Sequence, residues 1–127
     1  MEKIIGEFSE SISEYIESRL SNKIDISYIK NTSGKTKSAD ACLKKGNFIY
    51  YIYNEKDELI YIGETGTSVK NRLFNHGSGA HKNKQWFRQA EYIKYYKDLK
   101  MTQNIRKLIE RALILEHKKT CNLYNKD

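Results

Sequence analysis

Five side chains in this sequence have the types and order needed for chemistry at a phosphoryl centre. They are Tyr50, Tyr61, Arg72, His76 and Glu110, with Asn125 beyond them. Cleaving a phosphodiester in water requires an activated nucleophile, compensation for negative charge growing on the phosphoryl oxygens, and stabilisation of the departing 3′-oxygen. Two phenols, a guanidinium, an imidazole and a carboxylate can supply all three. A phenol with a reference pKa of about 10 is a poor base unless positive charge lowers it, and Arg72 and His76 would provide that charge. Taken singly, each residue also has an ordinary structural use. The tyrosines suit a half-buried sheet, Arg72 a surface, His76 a helix C-terminus, and Glu110 a pairing with Arg106 four residues earlier. Gly63 would serve a strand end and Asn125 a tail. Independent structural roles would not require all of these residues in this order.

These residues must be positioned by elements that the hydrophobic pattern predicts. Ile4, Phe8, Ile12, Ile16 and Leu20 recur every four residues, an amphipathic helix ending near Ser21. Ile24, Ile26 and Tyr28 alternate with polar neighbours as a short strand would, and positions 31 to 40 read as a loop. Phe48–Tyr53 and Leu59–Ile62 form a hairpin across a polar turn. With Glu55–Glu58 as its loop, Ile52 opposes Tyr61, so Tyr50, Ile52 and Tyr61 share one face. Capping candidates at Thr65–Ser68 open a short helix that carries Arg72 and His76 as neighbours one turn apart and stops at Gly77. Gln85–Ala90 reads as helical and Tyr92–Tyr96 as a third strand. Thr102 caps a long helix whose stripe is Ile105, Leu108, Ile109, Ala112 and Leu113, with Glu110 at the stripe's edge. The sum is an α/β (α+β) fold, a small three-stranded antiparallel sheet flanked by helices. Residues 1–45 make an N-terminal helix and connecting segment, and 46–127 the main domain.

In its second half the chain resembles the GIY-YIG nuclease family. The first of that family's two name-giving tripeptides reads Phe48-Ile49-Tyr50 here, with Phe48 in the glycine's place, and the second is intact as Tyr61-Ile62-Gly63. The two tyrosines stand 11 residues apart, the family's usual close spacing. Arg72, His76, Glu110 and Asn125 fill the family's later positions in order, and the likeness covers residues 47 to 127. The resemblance implies a divalent-metal-dependent endonuclease acting on double-stranded DNA with one Mg²⁺ or Mn²⁺. It makes Tyr50 the general base or the group that positions the attacking water, Arg72 the phosphate clamp and Glu110 the metal ligand. Tyr61 would hydrogen-bond the water or the phosphate, and Asn125 would orient a site group. Gly63 would leave room for the helix or the substrate backbone, while Lys70, Lys82, Lys84 and Arg88 would contact nucleic acid. Glu64 follows the second tripeptide where some members place a lysine, and a carboxylate beside Tyr50 would oppose phenolate formation.

Charge supports a polyanionic partner. The 127 residues carry 23 Lys+Arg against 16 Asp+Glu, a net +7. Residues 1 to 69 hold 9 basic and 11 acidic side chains, whereas residues 70 to 127 hold 14 and 5, so the positive field belongs to the second half. Phe74, Trp86, Phe87, Tyr92, Tyr95 and Tyr96 are interleaved with it. No apolar run approaches the roughly 20 residues of a membrane span. The acidic N-terminus lacks the features of an export signal, which predicts a cytoplasmic protein with Cys42 and Cys121 as free thiols. Gly34-Lys35-Thr36 lacks the earlier glycine and the leading strand of a phosphate-binding loop, and Asn31-Thr32-Ser33 has no role as a glycosylation site without export. His117 and Cys121 lack the paired partners of a zinc site. Two alternatives remain at this stage: an inactive nucleic-acid-binding module on the same fold, and an interaction role for the N-terminal helix.

Overall fold

The structure, a computed structural model, describes residues 2–75 and 77–125, and the backbone alone for residues 2–5 and 78. The elements are α1 (Glu2–Glu17), β1 (Ile24–Asp25), α2 (Ile26–Asn31), β2 (Phe48–Tyr53), β3 (Leu59–Thr65), β4 (Tyr92–Lys97) and α3 (Gln103–His117). Short 3-10 turns and one π-type turn, Asn71–Asn75, fill the stretch between β3 and β4.

The three expected strands are present, and a fourth joins them: β1 pairs with β4, giving an antiparallel sheet in the order β1-β4-β2-β3. β1 is only two residues long because the alternation of Ile24, Ile26 and Tyr28 does not continue as a strand. Asp25 starts α2 instead, and Ile29, three residues after Ile26, is the side chain buried there.

The central strand β2 is apolar or aromatic throughout and is covered on both faces. Phe48, Tyr50 and Ile52 enter one core with Ile29, Leu43, Val69, Leu73 and Phe87, while Ile49 and Tyr51 enter another with Ile16, Ile62, Leu113 and Ile114. Phe48 is fully buried, its ring 5.5 Å from that of Tyr95 in an edge contact, so the aromatic ring serves the core in the glycine's place. Ile52 faces Tyr61 and Tyr50 faces Gly63 as expected, but the loop is one residue shorter than Glu55–Glu58: Asn54 N–H donates to the Glu58 carbonyl, Tyr53 pairs with Leu59, and an irregularity between Ile52 and Tyr53 restores the register beyond it. Asn54 closes the turn, its Oδ1 accepting the N–H groups of Lys56 and Glu58.

Helix α1 packs on α3 through buried Ser9, Ser13 and Ile16, with Ser9 Oγ donating to Glu116 and His117 Nε2 2.8 Å from Glu17 Oε2. Thr102 caps α3 as expected, its Oγ1 accepting from the Ile105 N–H at 3.3 Å. Thr102→Ala is expected to lower stability by about 1 kcal/mol, read as a shift in the urea midpoint at unchanged slope.

The face that α3 buries keeps Ile109, Ala112 and Leu113 of the predicted stripe but is turned away from Ile105 and Leu108. Ile105 and Leu108 lie about half exposed, whereas Arg106, Ala112, Leu113 and Ile114 are buried and Ile109 and Glu110 partly so. Turning Arg106 inward rotates the helix by about one residue, which moves Glu110 from the stripe's edge onto the inward face. Among the described residues no helix is long and apolar enough to cross a membrane. Both cysteines are free, and burial pushes the Cys42 thiol up.

Candidate active site

Strand β3 lies at the sheet's edge and pairs with β2 alone, which leaves a row of outward backbone groups. The C-terminal segment and α3 cover them. Tyr124 N–H donates to the Ile60 carbonyl at 2.8 Å. The Asn125 amide both accepts from Ile62 N–H at 3.0 Å and donates to Ile62 C=O at 2.7 Å. Next along the edge, the Glu64 backbone helps to hold the Glu110 carboxyl down. Beside this edge opens a cavity of about 690 Å³ whose lining includes Tyr61, Arg72, His81, Lys84, Glu110 and Asn125.

Five of the predicted residues, Tyr61, Arg72, Lys84, Glu110 and Asn125, thus meet around one hollow, although they come from β3, the π-type turn, the stretch before β4, α3 and the C-terminal segment. Ser68 starts the helical turn that carries Arg72, its Oγ accepting from the Asn71 N–H at 2.9 Å. The Arg72 guanidinium donates to the Gly79 carbonyl, which holds it against the wall of the cavity. Tyr61 lies flat on Trp86, with ring centroids 4.6 Å apart and planes at 12°, and Trp86 in turn is parallel to Tyr124.

Tyr50 is placed differently from expectation. Its side chain is 1% exposed and does not line the cavity; its hydroxyl lies 2.7 Å from His81 Nε2, so the histidine ring stands between it and the hollow. Burial pushes the Tyr50 phenol well above its ordinary range, and the neighbouring Tyr61, Glu110 and Glu64 push the same way. Arg72 pulls it down, as expected, but does not outweigh burial. Tyr50 therefore stays a neutral phenol near pH 7, and burial rather than Glu64 is the main reason. Tyr61 is likewise held up by burial and by Glu110, against Arg72.

Gly63 also serves a purpose other than the one expected. A methyl group at residue 63 would lie 2.3 Å from both Cζ and Oη of Tyr50, so the missing side chain makes room for the Tyr50 ring across the strand pair.

The carboxylates divide the work between them. Arg106, the partner sequence spacing offers to Glu110, is engaged elsewhere: its Nε donates to Glu64 Oε2 at 2.7 Å and its Nη1 to Asn47 Oδ1 at 2.6 Å. Lys107 Nζ is 3.7 Å from the other Glu64 oxygen. Glu64 is thus neutralised. Glu110 is not, and its carboxyl is pushed up to about 7, first by burial and then by Glu64, against Lys107, the Glu64 backbone and Arg72.

Of the remaining predicted residues, Lys84 lines the cavity and Lys82 is exposed on the adjacent turn. Arg88 is exposed and borders a separate hollow with Glu55, Glu58 and Glu91, an acidic setting unsuited to a phosphate contact. Lys70 donates to the Thr32 carbonyl on the far side of its helical turn. His76 lies outside the described residues. Sequence reading missed His81, Trp86 and Tyr124 as members of the site. Trp86 was visible only as one ring in a basic stretch, and His81 only as an isolated histidine in a Gly/Ser/Lys-rich loop.

Comparison with known proteins agrees with this geometry. No curated protein and no solved structure matches the chain. A family model, the GIY-YIG catalytic domain, matches residues 46–125, a span that holds both tripeptides and every residue lining the cavity. The antiparallel sheet with flanking helices fits that match, and the chain belongs to the GIY-YIG catalytic domain family.

Proposed function

We propose that this nuclease-fold chain is a cytoplasmic, divalent-metal-dependent endonuclease that hydrolyses phosphodiester bonds of double-stranded DNA. The observation that carries this reading is the Glu110 carboxylate, desolvated and facing the same cavity as Arg72, Tyr61 and His81. A half-buried carboxylate held up by a second carboxylate is costly unless a cation compensates it. The donor set is hard and sparse, one carboxylate with a phenol nearby, which fits an ion such as Mg²⁺ that keeps most of its water and takes few protein ligands. Glu110 would hold that ion, which would supply charge stabilisation for the phosphoryl oxygens and the departing 3′-oxygen. With Glu64 bound to Arg106, one carboxylate among the described residues remains for it, as a one-metal site requires.

The chain's own groups do the rest. Arg72, fixed at the cavity wall, donates to a non-bridging oxygen, and Lys84 adds charge beside it. Tyr61, kept protonated, gives and accepts a hydrogen bond at the attacking water. The water's proton goes to the Tyr50–His81 couple, of which the imidazole is the member lining the cavity. Tyr50 is then a positioning residue that fixes the imidazole. Tyr50→Phe is expected to slow single-turnover cleavage about tenfold, whereas a general base at that position would cost roughly 10²–10⁴-fold.

Supercoiled plasmid tests the function itself. Nicked and linear products that appear only with Mg²⁺ or Mn²⁺ support it. Salt-sensitive retardation of the plasmid without product at any metal concentration would make the chain a binding module instead.

A further inference from the structure

The residues ahead of the family match carry a lysine cluster of their own. Between positions 30 and 45 the chain has five lysines and one aspartate, inside a half that is acidic in total. The fold gathers four of those lysines: Lys30, Lys35, Lys44 and Lys45 line a second cavity of about 690 Å³ together with Lys70. Among the described residues no carboxylate lines it. The aspartate, Asp40, faces a different hollow and accepts the Cys42 N–H.

The wall of this cavity is built rather than loose. Ile29, Cys42 and Leu43 are buried in the same core as Phe48, Tyr50 and Leu73. A methyl group on Gly34 would lie 2.3 Å from the Leu43 carbonyl oxygen, so the lysine-bearing loop lies directly on the backbone beneath it. Lys70 donates to the Thr32 carbonyl and Lys44 to the Lys37 carbonyl, which ties the loop to its surroundings. Five like charges held around one hollow repel one another, and a chain of phosphates offsets that repulsion along its length better than a small anion does. The cavity also adjoins the active site. Lys70 and Asn71 line it, the next residue along the same helical turn, Arg72, lines the catalytic cavity, and Asn75 returns to the lysine side.

We propose that this lysine cavity is a second nucleic-acid contact, which holds the sugar-phosphate backbone of duplex DNA away from the cleaved step. The identity of the polyanion rests on the nuclease reading; the site itself rests on the lysine geometry.

The test measures affinity for a short DNA duplex against salt concentration, in EDTA, for the whole chain and for the Lys30→Gln/Lys35→Gln/Lys45→Gln variant. All three lysines are exposed, so the variant keeps the fold. The slope of log affinity against log salt is expected to become shallower by about 2.7, with binding roughly 10²-fold weaker at moderate salt. Cleavage at saturating protein stays within about twofold, since no residue of the catalytic cavity is touched. A charge-matched control, Lys23→Gln/Lys94→Gln/Lys119→Gln, removes lysines that line neither cavity and should change the slope much less. An unchanged slope in the first variant, or equal losses in both, overturns the proposal. If the first variant shows the shallower slope but the whole chain never cleaves with Mg²⁺, the nuclease reading fails and the second contact stands.

Discussion

Glu110→Gln is expected to lower DNA cleavage by at least roughly 10³-fold and, at the same time, to raise the melting temperature at pH 8. Both effects have one cause. The folded protein holds the Glu110 carboxyl up to about 7, against an ordinary value of 4.5. Between those two pH values the folded state keeps a proton that the unfolded chain gives up, so stability falls as pH rises from about 4.5 to about 7. Above 7 the penalty is complete. The full displacement corresponds to about 3 kcal/mol, and partial exposure of the group screens this to about 1–2 kcal/mol. Glutamine removes the charge but keeps the size and shape of the side chain. In EDTA the variant should therefore melt a few degrees above the unmodified chain at pH 8, and most of the difference should be lost by pH 5. Added Mg²⁺ should raise the melting temperature of the unmodified chain above pH 7 and leave the variant where it was. A variant that melts lower at both pH values would make Glu110 an ordinary structural carboxylate and remove the main support for the metal site.

The contrast between Glu110 and its neighbours also explains which parts of this molecule can be read from sequence. The hairpin follows from a polar turn and the two-residue period of a strand, but the turn closes one residue early, with Asn54 opposite Glu58, and the irregularity between Ile52 and Tyr53 is what returns Tyr50, Gly63 and Tyr61 to the pairing a four-residue loop would give. The Thr102 cap is local in the same way. The rotation of α3 is not local. Apolar periodicity includes Ile105 and Leu108 in its inward stripe, but a buried pair between Arg106 and Glu64, 42 residues apart, turns the helix away from them and toward the sheet edge. Nothing in the periodicity of α3 records that partner. The same limit applies to the imidazole beside Tyr50. His81 lies on a 3-10 turn with no repeating pattern, 31 residues from the tyrosine it bonds, and only the packing of that turn over β3 brings the two together. Elements with a period were legible; side chains that meet across irregular chain were not. The site belongs mostly to the second kind.

Gly63→Ala is expected to cost about 2–3 kcal/mol of stability and, in the protein that still folds, to slow cleavage at least tenfold. The added methyl would lie 2.3 Å from Tyr50 Cζ and Oη and 2.7 Å from Cε2. Backbone movement cannot relieve the overlap, since Tyr50 is paired with Gly63 on one side and with Tyr95 of β4 on the other. Side-chain movement is blocked as well: the ring is fully buried in the core with Val69 and Leu73, and its hydroxyl is held by His81. Whatever motion remains must displace His81, the ring that lines the catalytic cavity, so the steric cost is transmitted to the chemistry. Because the whole effect passes through one pair of residues, it should be non-additive. In a double-mutant cycle, Tyr50→Leu on its own leaves a void, and Gly63→Ala introduced on that background should cost far less than it does alone, since the methyl then enters the space the ring has left. Urea midpoints for the two single variants and the double variant measure the coupling, which should exceed about 1 kcal/mol. Additive costs would mean that the glycine serves the backbone of β3 rather than the tyrosine opposite, and the link from Gly63 through Tyr50 to His81 would be lost.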